Sequence, residues 1–231
     1  MESAKAQAQE TILQSDLCAN LSSENLETLL TIAQMRTLGA NREILAQGGV
    51  ADAVYLPING YQLVERSGSD GRRQVLAFLQ CGDYLGISAG QSFLYSAYTL
   101  TPSTILRFPA SRFFQLVEEL PILKDNLGRI SSQILLRVID HLFAIGQKRA
   151  HARLAFLLWQ LWQRLPEARY PQRELELPMR RADIGDYLGL TLETTSRAFS
   201  RLRSEGVIAT RQGNQVEILD MEALRRLAEV D

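Results

Sequence analysis

Apolar residues recur at two different periods along this chain of 231 residues, and the places where the period changes mark out its elements. Leu26, Leu29, Leu30 and Ala33 fall at helical spacing behind Ser22 and Ser23, so a helix is predicted to begin at one of these two serines. The first twenty residues carry no such period and read as loosely ordered. After Gly39 the pattern becomes that of strands. From Glu43 to Phe108 the runs EILAQ, VYLPI, YQLVER, RQVLAFL and STILRF are punctuated by Gly48-Gly49, Asn59-Gly60, Gly68-Ser69-Asp70-Gly71, Gly82-Asp83 and Gly90. Many short strands broken by glycine turns predict a β-barrel or roll.

Helical spacing then returns. Pro109 to Glu119 predicts a short helix with Phe113, Phe114 and Val117 inward, and Pro121 opens a long one. Leu127, Ile134, Val138, Leu142 and Ile145 form a near-heptad stripe through a segment of roughly 25 residues, about 38 Å at helical rise. A helix of that length exceeds what one small domain buries. It predicts a connector and a homodimer seam made by Leu127, Ile130, Ile134, Val138, His141, Leu142 and Ile145. Ile130, Leu135, Ile139 and Phe143 make a second apolar face, which leaves a plain core helix as the alternative reading. A further helix, Arg149 to Leu165, carries Leu154, Leu157, Leu158 and Leu161, and a polar loop, Pro166 to Arg173, comes after it.

The stretch MRRADIGDYLGLTLETTSRAFSRLRSEG, Met179 to Gly206, reads as two short amphipathic helices around a tight turn. Ile184, Tyr187 and Leu188 lie on one side of the first, and Gly189 supplies the conformational freedom a sharp helix stop needs. Thr191 has the chemistry of an N-cap, and Glu193 stands where the positive end of a helix starting at about Leu192 favours an anion. Thr195, Ala198, Phe199 and Leu202 face inward in that second helix. Glu193, Ser196, Arg197, Ser200 and Arg201 are left outward, a set able to read base edges in a DNA major groove. By itself Glu193 with Arg197 is an ordinary i, i+4 ion pair worth a few tenths of a kcal/mol. The segment after Gly206 raises the DNA reading above it. Val207 to Thr210 and Gln215 to Leu219 predict a hairpin around Gly213-Asn214, the wing of a winged helix-turn-helix, and Asp220 caps a last helix bearing Leu224 and Leu227.

Composition narrows the class. The formal charge is -1, split between -3 for residues 1–146 and +2 for residues 147–231. This balance is too mild to bind nucleic acid by itself, so phosphate affinity rests on local placement of Arg180, Arg181, Arg197, Arg201, Arg203 and Arg211. The phosphate-contacting set is predicted as Arg180, Arg181, Thr191, Thr194, Ser200, Arg201 and Arg211. Apolar runs stay short of the ~18 residues of a membrane span, and MESAKAQAQE lacks the apolar core of a signal peptide, so a cytoplasmic protein without membrane contact is expected. Cys18 and Cys81 are both read as free thiols; an isolated buried cysteine is inert, and Cys81, beside the Gly82 turn, is the one candidate redox thiol. His141 and His151 have no partner at metal-ligand spacing, and no nucleophile–base grouping or P-loop stands out. Neither a catalytic residue, a metal site nor a cofactor is expected. The predicted fold class is α+β, divided into 1–118 (helix plus β-roll), 119–147 (dimerisation helix) and 148–231 (winged helix-turn-helix).

A β-roll, a long central helix and a C-terminal winged helix-turn-helix together resemble the CRP/FNR family of bacterial transcription regulators, from about Leu21 onward. The matching residues are Gly48 and Gly60, the turn Gly82-Asp83-Tyr84-Leu85-Gly86, and above all DIGDYLGLTLETTSR at Asp183 to Arg197, which is similar to the FNR and FixK branches. The resemblance implies a cyclic-nucleotide-binding-like roll and double-stranded DNA and RNA polymerase as partners. It implies that Glu193, Ser196 and Arg197 read TTGA-type half-sites of a TTGA-N6-TCAA-like palindrome: Arg197 on the guanine, Glu193 on amino groups of the complementary strand, Ser196 on the thymine side. Two departures bear on the signal. Members that bind cyclic nucleotides carry a Gly-Glu pair and an Arg-Ser pair; here Ile87 follows Gly86 and Tyr95-Ser96 stands at the Arg-Ser position, removing the charge-assisted phosphate contact. The oxygen-sensing members hold an iron–sulfur cluster with four cysteines, and this chain has two. An activator that works without cyclic AMP or a cluster is therefore expected. Alternatives are the same fold gated by another small molecule or by thiol redox, and a cupin-like enzyme fused to a DNA-binding tail. Residues 43–108 contain no histidine to hold a cupin metal, which weighs against the last.

Overall fold

The alternation of strands β3 (Ala53–Pro57) and β7 (Ser103–Pro109) organises the N-terminal half of the chain. Successive side chains of a strand point to opposite faces. On one face Val54, Leu56, Leu106 and Phe108 join a core with Leu26, Leu29 and Phe113, while on the other Ala53, Tyr55 and Ile105 join a second core with Leu85, Phe93 and Ala97. A strand covered on both sides has no polar face to present, which is why VYLPI reads as a continuous apolar run. In this computed structural model residues 12, 15–86, 88, 90–165, 173–211 and 214–229 are described. The chain falls into two compact units, Met1–Leu135 and Leu136–Asp231.

The first unit holds two antiparallel sheets, ordered β1-β7-β3 and β2-β6-β4-β5, with β1 at Gln34–Leu38, β2 at Glu43–Leu45, β4 at Gln62–Ser67, β5 at Arg73–Leu79 and β6 at Ser96–Thr99. They form the predicted roll. Helix α1 (Ser23–Thr31) is capped by Ser22, whose Oγ accepts from the Asn25 N–H at 3.2 Å. Strands β1 and β6 escape the sequence reading because QMRTL is almost wholly exposed and SAYT buries only Ala97 and Thr99. The loosely ordered start also needs correction. Residues 1–11, 13 and 14 lie outside the described residues, but Leu17 and Cys18 sit in a short 3-10 turn (Asp16–Cys18) within the core. Asn126 fixes that turn by donating to the carbonyls of Leu17 (3.0 Å) and Ala19 (2.8 Å).

Helix α2 spans Ala110–Glu119 and α3 spans Pro121–Gln147. The proposed seam along α3 is thereby revised. Ile130 is 7% exposed and belongs to the core of the first unit, so it is not free to meet a second copy, while Leu127 is half-buried against that core. Ile134, Leu135, Val138, Ile139, Leu142 and Phe143 are exposed. His141 is half-buried against Tyr187, and Ile145 lies beside Gly189, so these two face the second unit's own helices. A heptad count alone cannot separate a residue covered by its own chain from one awaiting a partner.

The second unit contains α4 (Ala150–Gln163), β8 (Glu174–Glu176), α5 (Arg181–Leu188), α6 (Leu192–Ser204), β9 (Ile208–Thr210), β10 (Gln215–Ile218) and α7 (Met221–Ala228). Leu154, Leu157, Leu158 and Leu161 of α4 are buried as their spacing predicts. The predicted hairpin forms, and Asp220 caps α7 by accepting from the Ala223 N–H at 2.9 Å. Strand β8, not anticipated, completes a sheet of order β8-β10-β9. The predicted loop 166–173 lies, apart from Arg173, outside the described residues, as do the wing positions 212 and 213.

Candidate nucleic-acid interface

Two backbone contacts bring α5 and α6 together. At Gly189 the chain turns left-handed, with φ 63°, and the next amide, Leu190 N–H, returns to the carbonyl of Gly185 at 2.9 Å. Gly185 is the closer constraint: a Cβ there would lie 2.8 Å from the Leu190 carbonyl oxygen and 2.9 Å from Thr195 Oγ1. Thr191 then caps α6, its Oγ1 accepting from the Thr194 N–H at 3.2 Å, while the buried Thr195 hydroxyl donates to the Thr191 carbonyl at 2.9 Å. Ala198, Phe199 and Leu202 complete the buried face, and Ile184, Tyr187 and Leu188 receive it from α5. At the start of α5 the buried Asp183 carboxylate accepts from the Arg180 backbone N–H at 3.2 Å and from its guanidinium at 2.9 and 3.1 Å.

What remains outward on α6 is a short polar ladder. Arg197 and Glu193 pair at 3.1 Å with side chains 69% and 78% exposed, and Arg197 also donates to Thr194 Oγ1 at 3.2 Å. Ser196 is exposed and donates to the Leu192 carbonyl at 2.9 Å. Ser200 accepts from Arg203, whose other nitrogen donates to Thr210 Oγ1 at 3.2 Å, so this arginine ties the second helix to the first wing strand. Arg201 pairs with Glu205 at 2.7 Å, and Arg211 Nε donates to Glu217 at 3.0 Å within the wing. Glu193, Ser196, Arg197, Ser200, Arg201 and Arg203 thus share one solvent face.

Arg181 departs from its predicted place among the phosphate contacts. Its guanidinium lies over the Phe199 ring, 3.1 Å from the centroid, and burial with the nearby Arg203 charge lowers its pKa to about 10. The sequence spacing of Arg180 and Arg181 looks alike; only packing shows that one folds inward.

In the roll, the turn that would cradle an anion is used internally. Gly86 donates its N–H to the Tyr95 hydroxyl at 2.9 Å, and Ser96 Oγ accepts from the Gln47 N–H at 2.9 Å. Both residues at the Arg-Ser position therefore serve the roll's own backbone. Ile87 lies outside the described residues. Cys81 is exposed, contrary to the idea of an isolated buried thiol, yet partial burial still raises its pKa, which lowers its thiolate fraction. Cys18 is the buried cysteine, its thiol pushed to about 11. No helix among the described residues is long and apolar enough to cross a membrane.

Residues 35–119 match the cyclic nucleotide-binding domain family and residues 152–227 the Crp-like helix-turn-helix domain family. The transcriptional activatory protein AadR of Rhodopseudomonas palustris is 30% identical over 92% of this chain and 88% of its own length. The nitrogen fixation regulation protein FixK of Rhizobium meliloti is 37% identical over 83% of this chain and 85% of its own. Among solved structures, FixK2 from Bradyrhizobium japonicum superposes with a TM-score of 0.79 at 30% identity, covering 87% of this chain and 99% of that one. With the roll, the long helix and the winged helix-turn-helix all in place, the chain belongs to the CRP/FNR family, in its FixK-like branch, and is a DNA-binding transcription regulator.

Proposed function

We propose that this regulator is a homodimeric activator that reads a palindromic TTGA-N6-TCAA-like site with Glu193, Ser196 and Arg197. The observation that carries the reading is the placement of these three residues on the exposed face of α6, in its first two turns, with Thr191 and Thr194 beside them. A helix entering the major groove contacts bases through its N-terminal residues. Arg180, Ser200, Arg201 and Arg211 stand as phosphate contacts, and Arg203 joins them in the place of Arg181.

Ile134, Leu135, Val138, Ile139 and Leu142 form an exposed apolar stripe that a second copy covers, giving two-fold symmetry to match the palindrome. The protein works in the cytoplasm without cyclic AMP or an iron–sulfur cluster, has no catalytic activity of its own, and acts on RNA polymerase. Supporting ligand independence is the internal use of the Gly86 N–H by Tyr95. Titrating the purified protein, with nothing added, against the palindrome and its single-base variants tests the reading. Binding that ignores the sequence, or that requires cyclic AMP, refutes it.

A further inference from the structure

The last three turns of α3 carry two different faces. Val138, Ile139 and Leu142 are exposed on one, while His141, Ala144 and Ile145 lie roughly a third of a turn away and are covered. What covers them is the reading head itself. His141 stacks on Tyr187 of α5, with ring centroids 4.1 Å apart and planes 23° from parallel, and the Tyr187 hydroxyl donates to Gln160 of α4 at 3.3 Å. Ala144 packs with Phe156 of α4 and Ala228 of α7. Ile145 borders Gly189, where even a Cβ would come within 3.6 Å of its Cγ2. Arg153 closes the arrangement by donating to the carbonyls of Lys148 (2.8 Å), just past α3, and Leu188 (3.0 Å), at the end of α5.

We infer that His141 is a positioning residue for DNA binding: by stacking on Tyr187 it locks the helix-turn-helix to the end of α3, so that the pairing of two α3 helices sets the distance between the two recognition helices. The inference rests on the dimeric reading proposed for this chain. Residues 136–147 lie in the same compact unit as α5 and α6, so this part of α3 and the head form one packed body. A ring stack whose Tyr187 end is also held by Gln160 resists rotation where a single aliphatic contact would permit it. Distance between recognition helices is what a palindromic site with a fixed spacer tests. Loosening the stack leaves each head able to read its half-site while the spacer length ceases to matter.

The test compares wild type, His141→Ala, His141→Gln and His141→Phe on operators with spacers of five, six and seven base pairs and on a single half-site. Sedimentation confirms the dimer and thermal unfolding the fold. Wild type and His141→Phe, which keeps a ring for the stack, are expected to prefer the six-base-pair spacer. His141→Gln and His141→Ala are expected to lose about two- to thirtyfold on that operator, the range for a packed coupling contact, with the half-site affinity unchanged. If the non-aromatic variants discriminate spacers as wild type does, or if affinity for the half-site falls as much as for the palindrome, the positioning role is wrong. A wild type indifferent to spacer length overturns the dimeric reading and this inference with it, whereas discrimination by wild type and all variants alike overturns only the inference.

Discussion

Gly86 and Tyr95 are joined by a hydrogen bond from backbone N–H to hydroxyl at 2.9 Å. The position that would carry an arginine in a cyclic-nucleotide-binding roll here carries a side chain that satisfies the roll's own turn. Burial raises the Tyr95 pKa, so the hydroxyl is neutral at physiological pH and adds no charge to attract or repel an anion. Calorimetry with cyclic AMP is accordingly expected to show no binding in the micromolar range, and the visible spectrum no charge-transfer band. Tyr95→Phe strands the Gly86 N–H and is expected to cost about 1–2 kcal/mol in urea unfolding. Micromolar affinity of the wild type for cyclic AMP would contradict this account of the roll.

Dimerisation is expected to depend on the exposed part of α3. Val138 and Leu142 are 48% and 64% exposed, so a carboxylate at either position is solvated in the monomer and intolerable only in a closed seam. Val138→Asp with Leu142→Asp should therefore give a folded monomer in sedimentation, with little change in thermal stability at low concentration and with palindrome binding lost. Ile130→Asp acts differently: that side chain lies in the unit's own core, and the variant is expected to unfold it. A wild-type monomer at micromolar concentration that still holds the palindrome would sink the dimer model.

Gly185 provides a stability test within the reading head. Its missing Cβ leaves room for the Leu190 carbonyl and the Thr195 hydroxyl, both under 3.0 Å from where that atom would sit. Gly185→Ala gains a little helix propensity, up to about 1 kcal/mol, but forces α5 and α6 apart. Overpacking of this kind costs about 1–3 kcal/mol, so a net loss is expected, together with weaker DNA binding. Unchanged melting and unchanged affinity would mean that the two helices do not meet at this glycine.

Local chemistry makes the helix-turn-helix legible in the sequence itself. Gly189, Thr191 and Asp220 act through atoms three or four residues away, so their roles are written in short spacings. Non-local decisions are not. Strand β8 exists because Leu175 pairs with Val216, 41 positions later, and nothing in ELE announces a partner. Likewise β1 and β6 hold their places through strands β7 and β4 rather than through an apolar run of their own. His141 and Ile145 fit a heptad as well as Val138 and Leu142 do, and only the packing of α4, α5 and α7 decides which side is already occupied. The inward turn of Arg181 over Phe199 is the same lesson at the scale of one side chain.

A pH effect is expected from His141. Burial lowers its pKa from the ordinary 6.5, outweighing a backbone contact with Tyr187 that acts in the other direction. The folded state therefore disfavours the imidazolium, so the unfolded chain binds the proton more readily, and stability contributed by the neutral ring is complete above the unfolded value and lost as pH falls from there to the folded one. Melting of the wild type is expected to drop more steeply than that of His141→Phe on acidification below pH 6.5. Parallel pH profiles for the two proteins would remove His141 from this account.

Specificity gives the sharpest division among the arginines. In the free protein Arg197 is held by Glu193 at 3.1 Å, an exposed i, i+4 pair that contributes only a few tenths of a kcal/mol to folding. Arg197→Ala and Glu193→Ala should therefore both melt like wild type. Their effects on DNA should differ. Loss of a bidentate guanine contact costs about 1–3 kcal/mol on the TTGA-N6-TCAA-like site and relaxes discrimination at that one base pair, whereas loss of Glu193 alters preference on the complementary strand. Arg211, paired with Glu217 in the wing, is assigned to a phosphate rather than to a base. Arg211→Ala should weaken every sequence alike and lower the salt slope by about one charge. Titrations against all single-base variants at several salt concentrations separate the two classes. If Arg197→Ala preserves the full preference profile while remaining folded, the ladder on α6 is no more than a solvated ion pair, and the reading residues must be sought elsewhere.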